Sequence, residues 1–459
     1  MSVNQPSPRR ISPFKITFLL VSCSLLCALL WLAWAIRPLN VAREFGIETT
    51  IPEKVPSPNA ADLYTAANQK FNELRLPGKP VARILDLQSP TTVEDNEQNY
   101  PLSNKVRWLE QNNAAFTLFD RAMATPYYSP PVRAEKIPDS AFHPATLRQL
   151  ARYDSVRCDV LKGQGQYQQA VDKSLRLWKA GLSVQTNTAI VPTLGGVAIE
   201  SMARKALDPN LAHLTAPQAA EAAKKLETLV SMRPTLKTIL QEEHDSHLYK
   251  IRPELERTIQ YNIIAEKRTE AYERGEYDSY FFEKPEDQRS WSLWAPVLNW
   301  GARKMANEFH YGMQPLINQA DSPWSQRQFE LPKGLSSEVA NLITALDKGR
   351  FFHTKAETAQ QMTLARLALH AYRKTKGVYP TTLNELAPTY LKKVPTDAFA
   401  DGKALNYRRE GQNYKLWSVG PDGRNDNAKP GINARAVPKS QLLISAESQG
   451  DIVANINRY

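Results

Sequence analysis

The sequence predicts a mainly α protein: a membrane-anchored, repeat-like helical ectodomain followed by a small α+β domain at the C-terminus. Three observations carry this expectation. An uninterrupted apolar run, Ile16–Ile36, lies near the start; apolar residues recur at helical spacing from Pro144 to Val230; only near the end, in Leu405–Arg409 and Tyr414–Val419, does the pattern alternate as a strand does. At 459 residues the chain exceeds one ordinary core and should hold two or three domains. The expected division is 1–15 as a cytoplasmic N-terminus, 16–36 as a transmembrane helix, 37–58 as a tether, 59–332 as the helical ectodomain and 336–459 as the α+β domain.

Composition removes some function classes. The net charge of +11 is spread without a run of five or more basic residues, so the concentrated stripe that nucleic-acid binding needs is missing. Mean hydropathy is negative despite the apolar run, which leaves the remainder polar and soluble in character. Cys23 and Cys27 fall in the apolar run and Cys158 stands alone beyond it, so no intrachain disulfide can staple the soluble part. No His or Asn motif brackets Cys158, and a small buried helix residue is the expected role.

Arg9, Arg10 and Lys15 precede the apolar run. At about 1.5 Å per residue, Ile16–Ile36 is long enough to cross the roughly 30 Å hydrocarbon core of a bilayer. Ala33-Trp34-Ala35 matches a signal-peptidase site, and Leu20-Val21-Ser22-Cys23 resembles a lipobox. The run is nevertheless longer than a usual signal-peptide core, and Cys23 would be followed by further apolar residues, so a retained span fits best. Trp31 and Trp34 suit an interfacial belt, and the basic residues ahead of the span keep the N-terminus inside. The expectation is a single-pass protein of the bacterial inner membrane with its bulk periplasmic or otherwise extracytoplasmic.

After Pro52, Pro56 and Pro58, Asn59 is placed to cap a helix that begins Ala60-Ala61-Asp62-Leu63-Tyr64. Asn113-Ala114-Ala115 opens a similar segment, with Phe116 and Phe119 on one face. Pro77, Pro80, Pro90, Pro101, Pro126, Pro130, Pro131 and Pro138 mark irregular connections around them. In the clearest helical stretch, Gly165-Gln166-Tyr167-Gln168-Gln169-Ala170-Val171 resembles the join between the helices of a tetratricopeptide repeat, which implies antiparallel helix pairs with Tyr167 buried at the turn. Thr215 and Gln218 form a capping box for the next helix. Such arrays bind partners or hold distance more often than they do chemistry.

Glu242-Glu243-His244-Asp245-Ser246-His247 places Glu243 and His247 four apart but is not a zinc motif and has no third ligand nearby, so a solvated helix face is expected. The aromatic residues between Tyr272 and Trp324 are interleaved with helix-period Leu, Val and Met and read as packing core. Pro315, Pro323 and Pro332 predict a linker, with Ser336 or Ser337 capping the helix beyond it.

That helix carries a wide apolar stripe (Leu364, Leu367, Ala368, Ala371), with Gly377 placed to end it. Next come Tyr379-Pro380, a second short helix closing at Tyr390, Val394-Pro395, and the two strands, paired antiparallel through the Glu410–Asn413 turn. A Gly420–Asn427 loop holds Asp422-Gly423. From Tyr372 to Asp426 this order resembles the C-terminal half of a type II secretion major pseudopilin: a helix ending in Y-x-x-x-x-G-x-Y-P, a V-P-x-D segment, a Y-x-L-x-S-x-G strand and a D-G-rich loop. The family's D-P is Asp397-Ala398 here, and neither its Gly-Phe-Thr-Leu-like cleavage site nor the Glu inside its apolar helix is present. The resemblance implies that the loop binds calcium, with Asp422 as the first acidic ligand, Asp426 as a later one, and Asp451 in Gly450-Asp451-Ile452 matching the D-I that follows. Hard carboxylate oxygens suit that ion.

The reading that follows is a non-enzymatic envelope protein that presents a helical scaffold and a pseudopilin-like module to protein partners of a type II secretion or pilus-type machine. The competing reading is an extracytoplasmic hydrolase whose groups assemble from distant segments, since no G-x-S-x-G or comparable motif is present.

Overall fold

The computed structural model describes residues 13–49, 58–73, 101–126, 133, 144–273, 291–432 and 444–454. The expectations for Pro77, Pro80, Pro90, Pro130, Pro131 and Pro138, and for Tyr277, Tyr280, Phe281 and Phe282, lie outside them. In chain order the helices are α1 (Pro13–Ala35), α2 (Val41–Phe45), α3 (Ala60–Glu73), α4 (Leu102–Gln111), α5 (Asn113–Ala124), α6 (Pro144–Gly163), α7 (Tyr167–Val184), α8 (Ile190–Leu211), α9 (Ala216–Val230), α10 (Leu236–Glu273), α11 (Trp291–Asn318) and α12 (Ser337–Lys376). Strands β1 (Asn406–Glu410), β2 (Asn413–Ser418) and β3 (Ile452–Val453) follow. The chain is thus mainly helical with one small sheet. It divides into two compact units.

The smaller unit holds described residues 13–49, 247–273 and 291–311. In α1 the side chains are described from Ser22, and those of Leu25, Leu26, Leu29, Leu30, Trp31 and Leu32 are all exposed. Among the described residues no helix is both long and apolar enough to cross a membrane. The expected tether is partly folded. The Asn40 side chain accepts from the Arg43 N–H at 2.8 Å to start α2, Gly46 ends it at φ +70, and Leu39, Val41 and Ile47 are buried. Arg303 of α11 pairs with Glu44 at 2.8 Å, and Tyr249 of α10 donates to the Ile47 carbonyl at 2.6 Å, so residues 37–49 have partners that an open connection lacks.

The larger unit is built on α6, α7, α8, α9 and α12. α7 and α8 approach most closely because glycine faces glycine: a Cβ at Gly196 would stand 2.4 Å from the Gly181 carbonyl oxygen. The α6–α7 turn follows the expected chemistry, with Gly165 at φ +74 and the buried Ala170 carbonyl 3.8 Å from Cys158 Sγ. Tyr167, expected to be buried, is only half-buried. It stacks on His213 with centroids 4.0 Å apart, because it occupies the first position of α7, where one face remains open. Thr215 and Gln218 form the capping box, the Thr215 N–H donating to Gln218 Oε1 at 2.9 Å. Phe116 and Phe119 are buried in the same core as Tyr64, below Asn59, whose Oδ1 caps α3 at the Ala61 N–H.

α12 is longer than the stripe suggests and contributes buried residues along nearly its whole length, from Val339 to Ala371. It packs on α8 and α9, while its second half lies under the C-terminal turns and β2. One hydrophobic cluster therefore runs from Ala60 to Ala454. The boundary expected at 332–336 falls inside this unit. Pro315 sits within α11 rather than in a linker, and Trp324, in the connection beyond, donates to the Pro421 carbonyl at 2.9 Å. Gly377 ends α12 at φ +78, donating its N–H to the Arg373 carbonyl.

The expected short helix after Tyr379-Pro380 is a single 3-10 turn, Leu383–Leu386, whose length is limited by Pro388. β1 and β2 pair antiparallel, Tyr407 opposite Leu416 and Arg409 opposite Tyr414, and β3 joins the other side of β2. Strict in–out alternation fails on β2, where Leu416, Trp417 and Ser418 are all buried. β2 is the central strand, and Ala428 and Val453 cover its second face over Trp417.

Candidate functional site

Two places in the larger unit merit description as sites. The first is a cleft of about 550 Å³ between α4, α6 and α7. One wall is apolar (Val106, Leu109, Val160, Leu161) and the other carries Arg157, Lys173 and Arg176. Behind the charged wall Arg157 joins two carboxylates. It donates to Asp120 with Nη1 at 3.0 Å and Nη2 at 2.5 Å, and its Nη1 stands 3.0 Å from Asp154 Oδ1. Burial acts on both acids. It raises the Asp154 carboxyl, outweighing the Arg157 and Lys173 charges. At the less buried Asp120 the Arg157 bond and the charges of Arg157 and Lys173 prevail and hold it below the usual carboxylate range.

Acids with opposed shifts are the pattern of an acid–base pair. Neither acid lines the cleft, however; Asp154 is wholly buried, and of the two lining acids, Glu110 and Asp172, Asp172 is tied to Lys225 at 2.8 Å. Cys158, on the same helix, meets Ser174 Oγ at 3.6 Å, and burial pushes its thiol up to about 12, which removes it as a nucleophile at neutral pH. The arrangement can hold a small amphipathic or anionic molecule against Arg176. It does not bring a carboxylate and a nucleophile onto one reacting atom.

The second place is the acidic loop. The structure brings Asp422, Asp426 and Asp451 near one another: burial, and then the charges of Asp426 and Asp422, push the Asp451 carboxyl up to about 6 against two backbone hydrogen bonds. Those bonds come from the Asp426 N–H at 3.2 Å and the Ala428 N–H at 2.7 Å. Asp422 accepts from the Arg424 N–H at 3.1 Å, an Asx-turn, and from the Gly450 N–H at 2.8 Å. The donor set has the hard oxygens calcium wants, and the mutual repulsion is what a cation would relieve. The Asp422 and Asp451 carboxylates are nevertheless turned onto backbone amides, and among the described residues no group of three or more His, Cys, Asp or Glu stands where it could hold a metal ion.

Asp397, ahead of β1, is fully buried and accepts from Ser418 Oγ at 2.8 Å and from the N–H groups of Val419 at 2.9 Å and Phe399 at 3.0 Å. It pins the loop that precedes β1 to the end of β2.

Glu242–Ser246 is not a solvated face but a buried one. Arg133 reaches Glu242 at 2.8 Å and Asp245 at 3.3 Å, Ser246 donates to Glu242 at 2.9 Å, and Glu243 accepts the Ile190 N–H at 2.9 Å at the start of α8. Burial raises the Asp245 carboxyl, but bonds from His244 and Gln241 and the Arg133 charge outweigh it and hold the group low. Partners from distant segments explain why so charged a stretch is inside. A second buried set joins Glu200 to Trp178 Nε1 at 2.7 Å, to Gln185 Nε2 at 2.5 Å and to Arg233, which also donates to Gln360 at 3.0 Å. Both sets pair their charged groups internally and hold helices together, although Gln360 Nε2 is buried without a hydrogen-bond partner among the described residues.

The cleft is not legible in the sequence, because its α4 wall, Leu102–Gln111, stands among proline-marked connections. Pro101, directly ahead of Leu102, followed by Val106 and Leu109 three apart, is the signal that marks a helix start there. No protein family, no curated protein and no solved structure matches this chain.

Proposed function

We propose that this is a non-enzymatic, single-pass envelope protein. It is held in the bacterial inner membrane by Ile16–Ile36 with its N-terminus cytoplasmic, and it presents a helical scaffold and a pseudopilin-like C-terminal module to protein partners of a type II secretion or pilus-type machine. The observation that most favours this reading is the all-round exposure of Leu25, Leu26, Leu29, Leu30, Trp31 and Leu32, apolar surface that water disfavours and lipid accepts. Reporter fusions after Ala60 should be active only outside the cytoplasm, and secretion components should co-purify with the intact chain. Cytoplasmic activity, or a mature chain lacking the apolar run, would overturn the anchor.

The acidic loop is proposed to take calcium through Asp422, Asp426 and Asp451, supported by the pressure of the neighbouring acids on Asp451. Calcium at 100 times its dissociation constant would then add about 2.7 kcal/mol to the folded state. The full chain should melt higher with calcium than with chelator, and Asp422→Ala should abolish the difference. Equal melting temperatures at millimolar calcium would leave the loop held by its amide bonds alone.

A further inference from the structure

Within the smaller unit, α11 has two unlike faces. Leu298, Ala302, Ala306 and Phe309 are buried, whereas Val297, Trp300, Lys304, Asn307 and Tyr311 are exposed. The exposed set recurs at alternating steps of three and four, so it forms one continuous stripe along the helix. The stripe is mixed: Val297, Trp300 and Tyr311 are large and more than two-fifths exposed, and Lys304 Nζ stands 6.0 Å from the Trp300 ring centroid.

The same helix is fastened to the end of the apolar run. Asn299 donates to the Ile36 carbonyl at 3.0 Å. Arg303 donates to the carbonyls of Trp34 at 3.1 Å and Pro38 at 3.3 Å, lies over the Trp34 ring at 4.7 Å, and grips Glu44 at 2.8 and 2.9 Å. Asn299 and Arg303 stand immediately before Trp300 and Lys304 in the chain, and a helix with its side chains is only about 10–12 Å across. The Trp300–Lys304 part of the stripe therefore lies within about one helix diameter of the point where the apolar run ends.

We propose that this stripe of α11 sits in the headgroup layer of the bilayer and braces the anchored chain against the membrane surface. The inference rests on the anchored reading above. A helix lying on a bilayer buries its apolar face about 5–10 Å into the headgroup boundary, and Asn299 and Arg303 hold α11 at the end of the apolar run, where that boundary falls on the anchored reading. Indole and phenol rings prefer that layer, having an apolar body and a polar tip, and Lys304 supplies a cation for the phosphates of anionic lipids. A second copy of the chain is the less suitable occupant. A helix–helix seam with this spacing wants apolar residues throughout, and Lys304 and Asn307 stand in it.

The test uses the full-length protein with Cys23→Ala and Cys27→Ala, reconstituted in vesicles of phosphatidylethanolamine and phosphatidylglycerol. Cys158 is buried and stays unlabelled. Spin labels are placed singly through Val297→Cys, Trp300→Cys and Tyr311→Cys, all exposed sites where substitution leaves folding intact. Leu29→Cys reports the span and Lys392→Cys reports water. The stripe labels should collide freely with oxygen and several-fold less with a water-soluble nickel chelate than the Lys392 label does. Nickel access equal to that at Lys392, with the Leu29 label in lipid, overturns the brace and leaves the anchor standing. A Leu29 label in water overturns both. Stripe labels shielded from both reagents show a protein partner, and that result also overturns the proposal.

Discussion

Burial holds the His353 ring neutral, and the Arg233 charge beside it adds to the effect, so its pKa falls to about 4 despite the bond between Nε2 and the Pro234 carbonyl at 3.0 Å. The unfolded chain, with histidine near 6.5, binds more protons between pH 4 and 6.5, so stability is lost as pH falls through that window, by up to about 3 kcal/mol. Asp451, raised to about 6, acts in the opposite sense, because the folded chain there favours the protonated acid. The two partly cancel in the wild-type curve, and the readout is the difference between proteins. His353→Asn keeps a donor for Pro234 and removes the titration, so it should lose less stability than wild type between pH 6.5 and 4 in denaturant melts. Parallel curves would refute the assignment. Little of this was legible in the sequence. His353 is one of several scattered histidines, and Asp397 is an unremarkable acid until the chain returns with Ser418 and Val419; both owe their chemistry to partners far along the chain. The acidic loop was legible because its acids lie in short, recognisable pieces, but their orientation onto backbone amides was not.

Single helices were legible wherever local signals decide them. The Asn59 cap, the Thr215–Gln218 capping box, the Gly165 turn and the Gly377 stop all lie where their side chains or their lack of Cβ predict. Elements that depend on distant cover were not. α2 folds within the expected tether, Glu242–Ser246 is inside, and Trp417 is buried because β3 and the following loop close over β2. The α7–α8 contact belongs to the same class, since two glycines far apart in sequence signal nothing singly. Gly196→Ala would bring a methyl to 2.4 Å from the Gly181 carbonyl oxygen and 2.6 Å from Gln185 Cγ, and backbone cannot yield as a side-chain tip can. Overpacking of this kind costs about 1–3 kcal/mol, against the roughly 1 kcal/mol that alanine normally gains over glycine within a helix, so a net loss of up to about 2 kcal/mol is expected. Chemical denaturation should show this loss with an unchanged slope. A neutral or stabilising result would mean that α7 and α8 stand farther apart.

For the molecule as a whole, hydropathy foretold a helical chain with a late sheet, but periodicity names only which face of a helix is buried and not what buries it. The stripe on α12 reads as the back of a small sheet domain, yet its buried residues face two sets of neighbours, α8 and α9 on one side and the C-terminal turns on the other. Cutting the chain at Ser336 would expose Val339, Ile343 and Leu346 together with much of the Leu364–Ala371 stripe. The fragment is of ordinary domain size, but it would lose the α8 and α9 cover of this helix, and apolar area returned to water costs about 25 cal/mol per Å² against a net stability of only about 5–15 kcal/mol. The fragment 336–459 is therefore expected to keep helical far-ultraviolet dichroism, bind a hydrophobic dye and melt without a sharp transition, as compact states with loosened packing do. The full chain should melt cooperatively in the same buffer. A fragment that gives a sharp transition and native near-ultraviolet dichroism would show that the C-terminal module folds alone, with α8 and α9 added to a core already complete.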